Sequence, residues 1–380
     1  MNIYIITTAG FPNYGDELLL ETWLEHIVKK YPKAVIWVDC HSPGMVSAMF
    51  SDNFRKVRFT DFVWRVMWDC PFHSSSESMV YGLGAWTTHQ VTWKRFHHAA
   101  RHIQQADVVH IIGAGFINNI WPRHLAILGI VRAAPYLKKN VKLLLTGAGF
   151  MPLGDNDMTL LALVLKDFHH IDVRDQMSYE RLQAKGFVDE SKLTQSGDDT
   201  FLKAMVPLEK KEQEPRICLC IQGDFWEEIS TTDMLKKVAL TIRNSFPDIL
   251  PQIRFYEFIP SVDNRFYDEL SGHLGNIEYF SFEQIFYSGL DIKSSDVVIT
   301  SRFHMHLLAA RLGARGVWIN SKPGYYDIKH QSLVDSGSCW QELSVTSEEA
   351  TIEFAQPDLE KLEKCYLLKL VLANQIYGEK

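Results

Sequence analysis

Short apolar runs alternate with longer amphipathic segments along most of this chain. In the first half, runs of strand length lie at residues 2–6, 34–38, 107–112 and 141–145. The alternation starts again in the second half, with runs at 216–222, 252–258, 297–300 and 316–320. Strands that alternate with helical patterns are typical of a parallel sheet covered by helices on both faces. We therefore predict an α/β fold in two halves.

A polar stretch separates the two halves. Residues 209–214 are all charged or amide-bearing, and prolines flank them at positions 207 and 215. This composition is typical of a linker between domains. We predict an N-terminal domain at 1–205, a linker at 206–215 and a C-terminal domain at 216–380.

The last segment of the chain, residues 358–377, has the pattern of a long helix. Leu359, Leu362, Tyr366, Leu370 and Ala373 share one helical stripe. A terminal helix of this length often crosses a domain junction, and we expect it to pack back on the first domain.

Composition narrows the classes of function. The 380 residues include 39 Lys and Arg against 46 Asp and Glu, a formal charge of −7, so general attraction to nucleic acid or anionic lipid is not indicated. Any anion site must be a local concentration of positive charge.

No apolar run reaches the roughly 18 residues that span a bilayer, and residues 1–6 resemble a first strand more than a signal peptide. The six cysteines are scattered, which predicts reduced thiols in the cytoplasm.

Residues 59–98 form an aromatic insertion with no regular pattern. The stretch contains four tryptophans and several other aromatic residues, separated by three serines at 74–76. Aromatic rings can stack on the faces of sugars, or they can fill the core beneath a long insertion. The sequence leaves both interpretations open.

One turn combines an anion-binding group with a proton-transfer group. Ser301, Arg302 and His304 follow an apolar run and precede a helical pattern, so they should lie at the carboxyl edge of a parallel sheet, where open α/β folds bind ligands. A guanidinium matches phosphate or carboxylate, and an imidazole can carry a proton near neutral pH. The alternative is a surface arginine and a histidine at the start of a helix.

Other turns between strands and helices could also bind a ligand, but each has a purely structural explanation as well. Asn13 to Asp16 lie between the first strand and helix, where Asp16 could be only the helix N-cap. Two apolar runs end in the same tetrapeptide, GAGF at 113–116 and 147–150, which would allow tight turns or close approach to a ligand. Neither matches the fingerprint GxGxxG, so a dinucleotide is not supported.

Taken together, these motifs resemble those of the polysaccharide pyruvyl transferase family. The matching elements are NYGDE at 13–17, HIIGAGF at 110–116, LLTGAGFMPLG at 144–154, DVRDQMSYERLQAKG at 172–186, SGDD at 196–199, SRFHMHLLAARLG at 301–313 and YYDIK at 325–329. They span nearly the whole chain in order. The sequence departs from the family at Ala114, where a third glycine is common, and at Phe303, where leucine is common.

The resemblance implies a fold similar to GT-B, with two Rossmann-like domains facing a cleft. It implies transfer of a pyruvyl group from phosphoenolpyruvate to a sugar diol of a polysaccharide or its precursor, which forms a pyruvate ketal. The implied residues fall into three groups: catalytic His304 and Asp16; donor-binding Arg302, Arg174, Ser301 and Lys329; and acceptor-binding Asn13, Gly15, Gly113 and Gly115. Phosphoenolpyruvate is a co-substrate, and no metal or other cofactor is expected. His306 is expected to serve helix packing.

The resemblance also implies partners and a location. The acceptor would be a saccharide, free or lipid-linked, and the protein would act in the cytoplasm or at the inner face of the membrane, with no nucleic acid partner. The main alternative is a GT-B nucleotide-sugar glycosyltransferase of surface-polysaccharide synthesis, with Arg302 holding a diphosphate. A third alternative is a sugar-binding protein without catalytic activity.

Overall fold

A computed structural model describes residues 1–69, 71, 75–88, 90–205, 214–226, 229–248, 251–347 and 352–378. The chain divides into two compact units. Unit 1 comprises Met1–Phe11, Asp16–Lys203 and Leu367–Lys380, and unit 2 comprises Pro12–Gly15 and Ala204–Tyr366. Each unit contains one parallel sheet.

Seven parallel strands form the sheet of unit 1, in the order β3-β2-β1-β4-β5-β6-β7. Their bounds are Asn2–Ile6 (β1), Val35–Asp39 (β2), Val57–Thr60 (β3), Val108–Ile111 (β4), Lys142–Ala148 (β5), His170–Val173 (β6) and Leu193–Gln195 (β7). The central strands β1 and β4 are almost wholly buried, as expected for a parallel sheet covered on both faces.

Helices connect these strands. They are Tyr14–Lys30 (α1), Pro43–Phe50 (α2), Phe62–Trp68 (α3), Leu83–Thr88 (α4), Gln90–Gln104 (α5), Leu125–Leu137 (α6), Asp155–Leu165 (α7) and Gln176–Gln183 (α8). A π-helix at Ser78–Gly82 leads into α4. One face of the sheet, which includes Tyr4 and Ile6 of β1, forms a single buried cluster with the apolar sides of α3, α6 and α7.

Unit 2 repeats this plan with six parallel strands in the order β10-β9-β8-β11-β12-β13. The strands are Ile217–Cys220 (β8), Ile253–Tyr256 (β9), Ile277–Phe280 (β10), Val297–Thr300 (β11), Arg315–Trp318 (β12) and Gln341–Glu342 (β13). The helices are Thr231–Ser245 (α9), Tyr267–Leu274 (α10), Phe282–Ser288 (α11), Phe303–Arg311 (α12), Tyr326–Leu333 (α13) and Leu359–Ile376 (α14).

The terminal helix α14 begins in unit 2 and ends in unit 1. Within unit 1, the fully buried ammonium of Lys369 bonds Asp172 Oδ2 at 2.6 Å, Asp199 Oδ1 at 3.0 Å and the Gly197 carbonyl at 2.7 Å. Burial lowers the pKa of Lys369, but the two carboxylates raise it by more, so the amine stays charged. This lysine anchors the end of α14 to unit 1.

The predicted fold class is confirmed, because the chain is α/β with two Rossmann-like parallel sheets and a terminal helix that packs on the first unit. The units depart from the predicted domain limits at Pro12–Gly15, which groups with unit 2, and at Leu367–Lys380, which groups with unit 1. Most of the predicted linker at 206–215 lies outside the described residues. The apolar stripe predicted for α14 is incomplete, since Leu359 is exposed.

Candidate active site

The strand order places one topological switch point in each sheet. In unit 1 it lies between the neighbours β1 and β4, and in unit 2 between β8 and β11. Ligands of doubly wound folds bind beyond the carboxyl ends of the strands at such points. The turn that begins at Ser301 follows β11 directly, so the sequence motif with Arg302 and His304 lies at the switch point of unit 2.

The Arg302 side chain forms a buried ion pair that the sequence did not predict. Its Nε bonds both carboxylate oxygens of Asp263, at 3.2 and 3.1 Å, and its Nη2 donates a very short bond to Oδ1 of the same residue. Asp224 lies 3.3 Å from Nη2. Burial lowers the pKa of Arg302, but Asp263 and Asp224 raise it by more, so the guanidinium stays charged.

Asp263 holds three turns of unit 2 together. Besides Arg302, its carboxylate accepts hydrogen bonds from the backbone amides of Gly223, Phe258 and Ile259. The turn after β8, the turn after β9 and the turn after β11 therefore meet at one buried carboxylate. Removal of either charge would leave the other buried without its partner, which is strongly destabilising.

Asp224 is a second acidic residue at this sheet edge, and its environment differs from that of Asp263. Burial raises the pKa of Asp224, and the positive charges of Arg302 and Lys329 oppose that shift. Its side chain is 38% exposed, whereas that of Asp263 is fully buried. Asp224 follows the predicted strand at 216–222, so the rule that placed Arg302 at a sheet edge would also have identified Asp224.

His304 lies in the first turn of α12, half-buried, with its ring edge-on to Phe303. A Cβ added at Gly15 would overlap the imidazole at Nδ1. Tyr14, next to Gly15, donates its backbone amide to the Phe258 carbonyl at 3.0 Å. The segment Pro12–Gly15 thus groups with unit 2, and the glycine of the NYGD motif provides space for the His304 ring.

Ser301 is fully buried and supports the turn from below. Its Oγ accepts from the backbone amide of Gln222 at 2.8 Å, and its carbonyl accepts from His330 Nε2 at 3.2 Å. Because this bond uses the Nε2 proton of a neutral imidazole, Nδ1 of His330 accepts the 2.9 Å bond from His306 Nδ1. His306 also stacks on Trp340. Ser301 and His306 therefore both support the turn, and the donor-binding role of Ser301 stays a prediction.

Lys329 lies on α13 beside two tyrosines. Its Nζ donates a very short bond to the Tyr325 hydroxyl and lies 4.9 Å from the centre of the Tyr326 ring. The positive charges of Lys329 and Arg302 both act on Asp224, so these predicted donor residues share one electrostatic environment in unit 2.

Asn13, not Asp16, caps helix α1. The helix begins at Tyr14, and Asn13 Oδ1 accepts from the Gly15 amide at 3.2 Å. Asp16 lies within the first turn of the helix. The N-cap interpretation of Asp16 is therefore wrong, and Asn13 has a structural role in addition to the acceptor-binding role predicted for it.

Arg174 is enclosed by the two glycine tetrapeptides of unit 1. A Cβ at Gly115 would lie 2.7 Å from its Nη1, and one at Gly149 would lie 2.5 Å from its Nε. The guanidinium is 7% exposed, and Asp198 lies 3.8 Å away. Arg174 belongs to unit 1 and Arg302 to unit 2. Gly115 was predicted to bind the acceptor. The structure shows a second possible reason for a glycine at this position, because it provides the space that Arg174 occupies.

Gly113 takes part in a polar chain in the core of unit 1. Its amide donates to Asp199 Oδ2 at 3.0 Å, and Thr146 Oγ1 donates to the same oxygen at 2.7 Å. His110 bridges Thr146 and the Tyr377 hydroxyl through its two ring nitrogens. These hydrogen bonds connect the glycine turn after β4 with Tyr377, the residue that follows α14.

The aromatic insertion at 59–98 is mostly part of the core. Phe62 and Trp64 are buried, and Trp86 and Phe96 pack against the same cluster. Trp68 is 51% exposed and lies beneath the guanidinium of Arg123. Tyr81 is also exposed, and the side chains of Phe72 and Trp93 are not among those described.

Among the residues that the structure describes, no group of three or more His, Cys, Asp or Glu could hold a metal ion. No helix in the same part of the chain is long and apolar enough to cross a membrane. The five described cysteines are all free: Cys40, Cys218 and Cys220 are buried, Cys365 is half-buried and Cys339 is exposed.

Comparisons with known proteins agree with the motifs. The sequence model of the family described as polysaccharide pyruvyl transferase matches residues 13–323. A search among curated proteins found no match.

Solved structures show the same fold at low sequence identity. A UDP-GlcNAc 2-epimerase from Neisseria meningitidis, bound to UDP-GlcNAc, has a TM-score of 0.53 and 11% identity, over 99% of this chain and 93% of that one. A putative UDP-N-acetylglucosamine 2-epimerase from Listeria monocytogenes has a TM-score of 0.54 and 13% identity, over 99% and 89%. At such identities the similarity concerns the GT-B-like fold alone.

Proposed function

The chain belongs to the polysaccharide pyruvyl transferase family and is an enzyme that transfers pyruvyl groups, and we propose that it transfers them from phosphoenolpyruvate to a saccharide diol as a cyclic ketal. The observation that carries this proposal is the turn at the switch point of unit 2, where Arg302 and His304 are separated by one residue and Lys329 lies in the same electrostatic environment. Such a turn offers both an anion-binding group and a proton-transfer group.

The donor carries a phosphate and a carboxylate, which call for fixed cations. Asp263 engages Nε and Nη2 of Arg302, so this arginine would contact the donor through Nη1 while Asp263 fixes its orientation. Lys329 would supply a second positive charge. Arg174, in unit 1, is a further proposed donor ligand that its glycine surroundings orient. Ser301 acts by holding the turn.

The chemistry needs a proton at the methylene carbon and two additions of hydroxyl groups. His304 would donate the first proton, which turns the enol carbon into an oxocarbenium-like centre that a sugar hydroxyl attacks. Phosphate then leaves with the electrons of its C–O bond, and the second hydroxyl adds to the same carbon. The two sugar hydroxyls release two protons. One replaces the proton that His304 gave to the new methyl group, and the other leaves with phosphate. Asp16 would orient or deprotonate the acceptor.

The proposed acceptor-binding residues are Asn13, Gly15, Gly113 and Gly115. The acceptor would be a polysaccharide precursor, free or lipid-linked, and the protein would act in the cytoplasm. The free thiols of the five described cysteines support a reducing compartment.

The first experiment asks whether phosphoenolpyruvate is the donor and His304 the acid. We expect phosphoenolpyruvate to raise the Tm of the protein, while UDP and GDP do not. His304→Gln should lower kcat by roughly 100-fold or more, the usual scale of general acid–base catalysis, with little change in the Kd for phosphoenolpyruvate. His273→Gln, on α10, is the matched control and should keep its activity.

Two outcomes would contradict the proposal. Stabilisation by UDP or GDP with none by phosphoenolpyruvate would favour a nucleotide-sugar glycosyltransferase. Normal turnover of His304→Gln with phosphoenolpyruvate still bound would leave the donor assignment intact and remove His304 from the chemistry.

A further inference from the structure

Positive charge is concentrated in one segment of an otherwise acidic protein. Residues 54–139 contain 11 Lys and Arg and 4 Asp and Glu, so their formal charge is +7. The rest of the chain has 28 basic and 42 acidic residues, a formal charge of −14. The overall charge of −7 argued against attraction to anionic surfaces, but it is the sum of one strongly basic segment and a strongly acidic remainder. Such asymmetry is typical of proteins that meet a polyanionic surface.

Helix α5 carries part of this charge on its outer side. His98 and Arg101 are exposed one turn apart, and Arg95 is exposed just before a kink in the helix at Phe96. The opposite side is apolar, with Ala100 and Ile103 buried in the core of unit 1. The part of α5 after the kink is therefore basic on its outer side and anchored on its inner side, so contact with a partner requires no folding of this segment.

Ring stacking connects α5 to the edge strand β3. The Trp37 ring stacks on His102 at 3.5 Å between ring centres, and the guanidinium of Arg58 lies 5.6 Å from the centre of the same tryptophan. Arg58 is exposed on β3, the outermost strand of the sheet. Arg58 thus lies against one ring of the Trp37–His102 pair, and Arg101 is the residue before His102 on α5, so the two arginines lie close together.

The other end of this surface carries an exposed indole. Arg95 forms an ion pair with Asp69, the residue after Trp68, with 3.1 Å between Nη1 and Oδ2. Trp68 is 51% exposed, and the Arg123 guanidinium lies 5.4 Å from its ring centre. An exposed tryptophan among arginines is typical of the interface between water and lipid, where the ring meets apolar chains and the cations meet headgroups.

We propose that this basic face, defined as Arg58, Arg95, His98, Arg101, Arg123 and Trp68, docks unit 1 on an anionic lipid bilayer. The argument is charge complementarity: the face is cationic and bears an apolar anchor, while the remainder of the protein would be repelled by the same surface. The interaction is peripheral, since it needs no inserted helix. It does not depend on the donor or on the reaction proposed above.

Vesicle sedimentation tests this inference directly. The wild-type protein should bind vesicles of phosphatidylglycerol and phosphatidylcholine in equal parts at about 0.1 M salt, and bind much less at about 0.5 M. It should not bind phosphatidylcholine alone. Each arginine near an anionic surface is worth about fivefold in partitioning, so Arg58→Gln, Arg95→Gln and Arg101→Gln combined should weaken binding on the order of 100-fold.

A matched variant separates this face from net charge. Lys29→Gln, Lys236→Gln and Lys364→Gln remove the same charge from exposed sites outside the basic face, and we expect them to leave binding nearly unchanged. Equal weakening by both triple variants, or equal binding to neutral and anionic vesicles, would overturn the proposal. So would binding to heparin or an oligonucleotide as tight as to the anionic vesicles. If the first triple variant melts early, Arg101→Gln alone should still show the fivefold loss.

Discussion

At the scale of single residues, the candidate site shows which part of the chemistry a sequence can reveal. The strand-to-helix turn placed Arg302 and His304 correctly, because the apolar run and the helical pattern are local signals. Asp263 lies 39 residues before Arg302, and no local pattern connects them. The sequence therefore predicted an arginine available to a ligand, whereas the fold gives that arginine a buried partner.

The contact between Gly15 and His304 leads to a prediction at this scale. Because an added Cβ would overlap the imidazole, Gly15→Ala should displace His304 and lower turnover about as much as His304→Gln, roughly 100-fold. Phosphate release in the presence of donor and acceptor measures this effect. Gly44→Ala, where an added Cβ has nothing within 4 Å, should retain normal turnover. Full activity of Gly15→Ala would mean that the ring position is not critical.

At the scale of elements, the sequence predicted most strands. It also predicted the position of the terminal helix, but not all of the residues that the helix buries. The run at 297–300 matches β11 and the run at 2–6 matches β1, because buried parallel strands are continuous apolar runs. The helix at 358–377 was also expected, but Lys369 was not expected to be buried. Lysine is almost never buried without a charged partner, and its partners Asp172 and Asp199 lie far away in the sequence.

The anchor of α14 allows a stability prediction. Lys369→Met would leave Asp172 and Asp199 buried without their cation, so the free energy of unfolding should fall by about 3–5 kcal/mol. Urea denaturation measures this loss. Lys364→Met changes an exposed lysine of the same helix and should cost less than about 0.5 kcal/mol. Equal midpoints for the two variants would show that the buried lysine does not stabilise unit 1.

At the scale of the whole molecule, buried histidines make stability depend on pH. Burial lowers the pKa of His41 and His124 from 6.5 to about 4, and that of His330 to about 3. Because unfolding lets these groups bind protons, their contribution is fully present above pH 6.5 and is lost as the pH falls toward 4. Asp39 has the opposite effect on stability. Burial raises its pKa to about 7, so the folded protein binds a proton there and is destabilised as the pH rises toward 7.

We expect the histidines to outweigh Asp39, since three groups oppose one. From these four groups, the free energy of unfolding should rise by about 2 kcal/mol per pH unit between pH 5 and 6. Urea denaturation at pH 5, 6 and 7 measures the slope. His330→Gln should reduce it, whereas His98→Gln, at an exposed position, should not. A stability that falls from pH 5 to 6 would show that buried carboxyls dominate.

The enclosure of Arg174 has a consequence for how related sequences can be sorted. Gly115 and Gly149 leave room for one guanidinium, so these three positions, though far apart in the chain, form one steric unit. A relative with alanine at either glycine should lack the arginine as well, and a relative with the arginine should keep both glycines. Joint variation at the three positions would separate family members that retain this buried cation from members that have lost it.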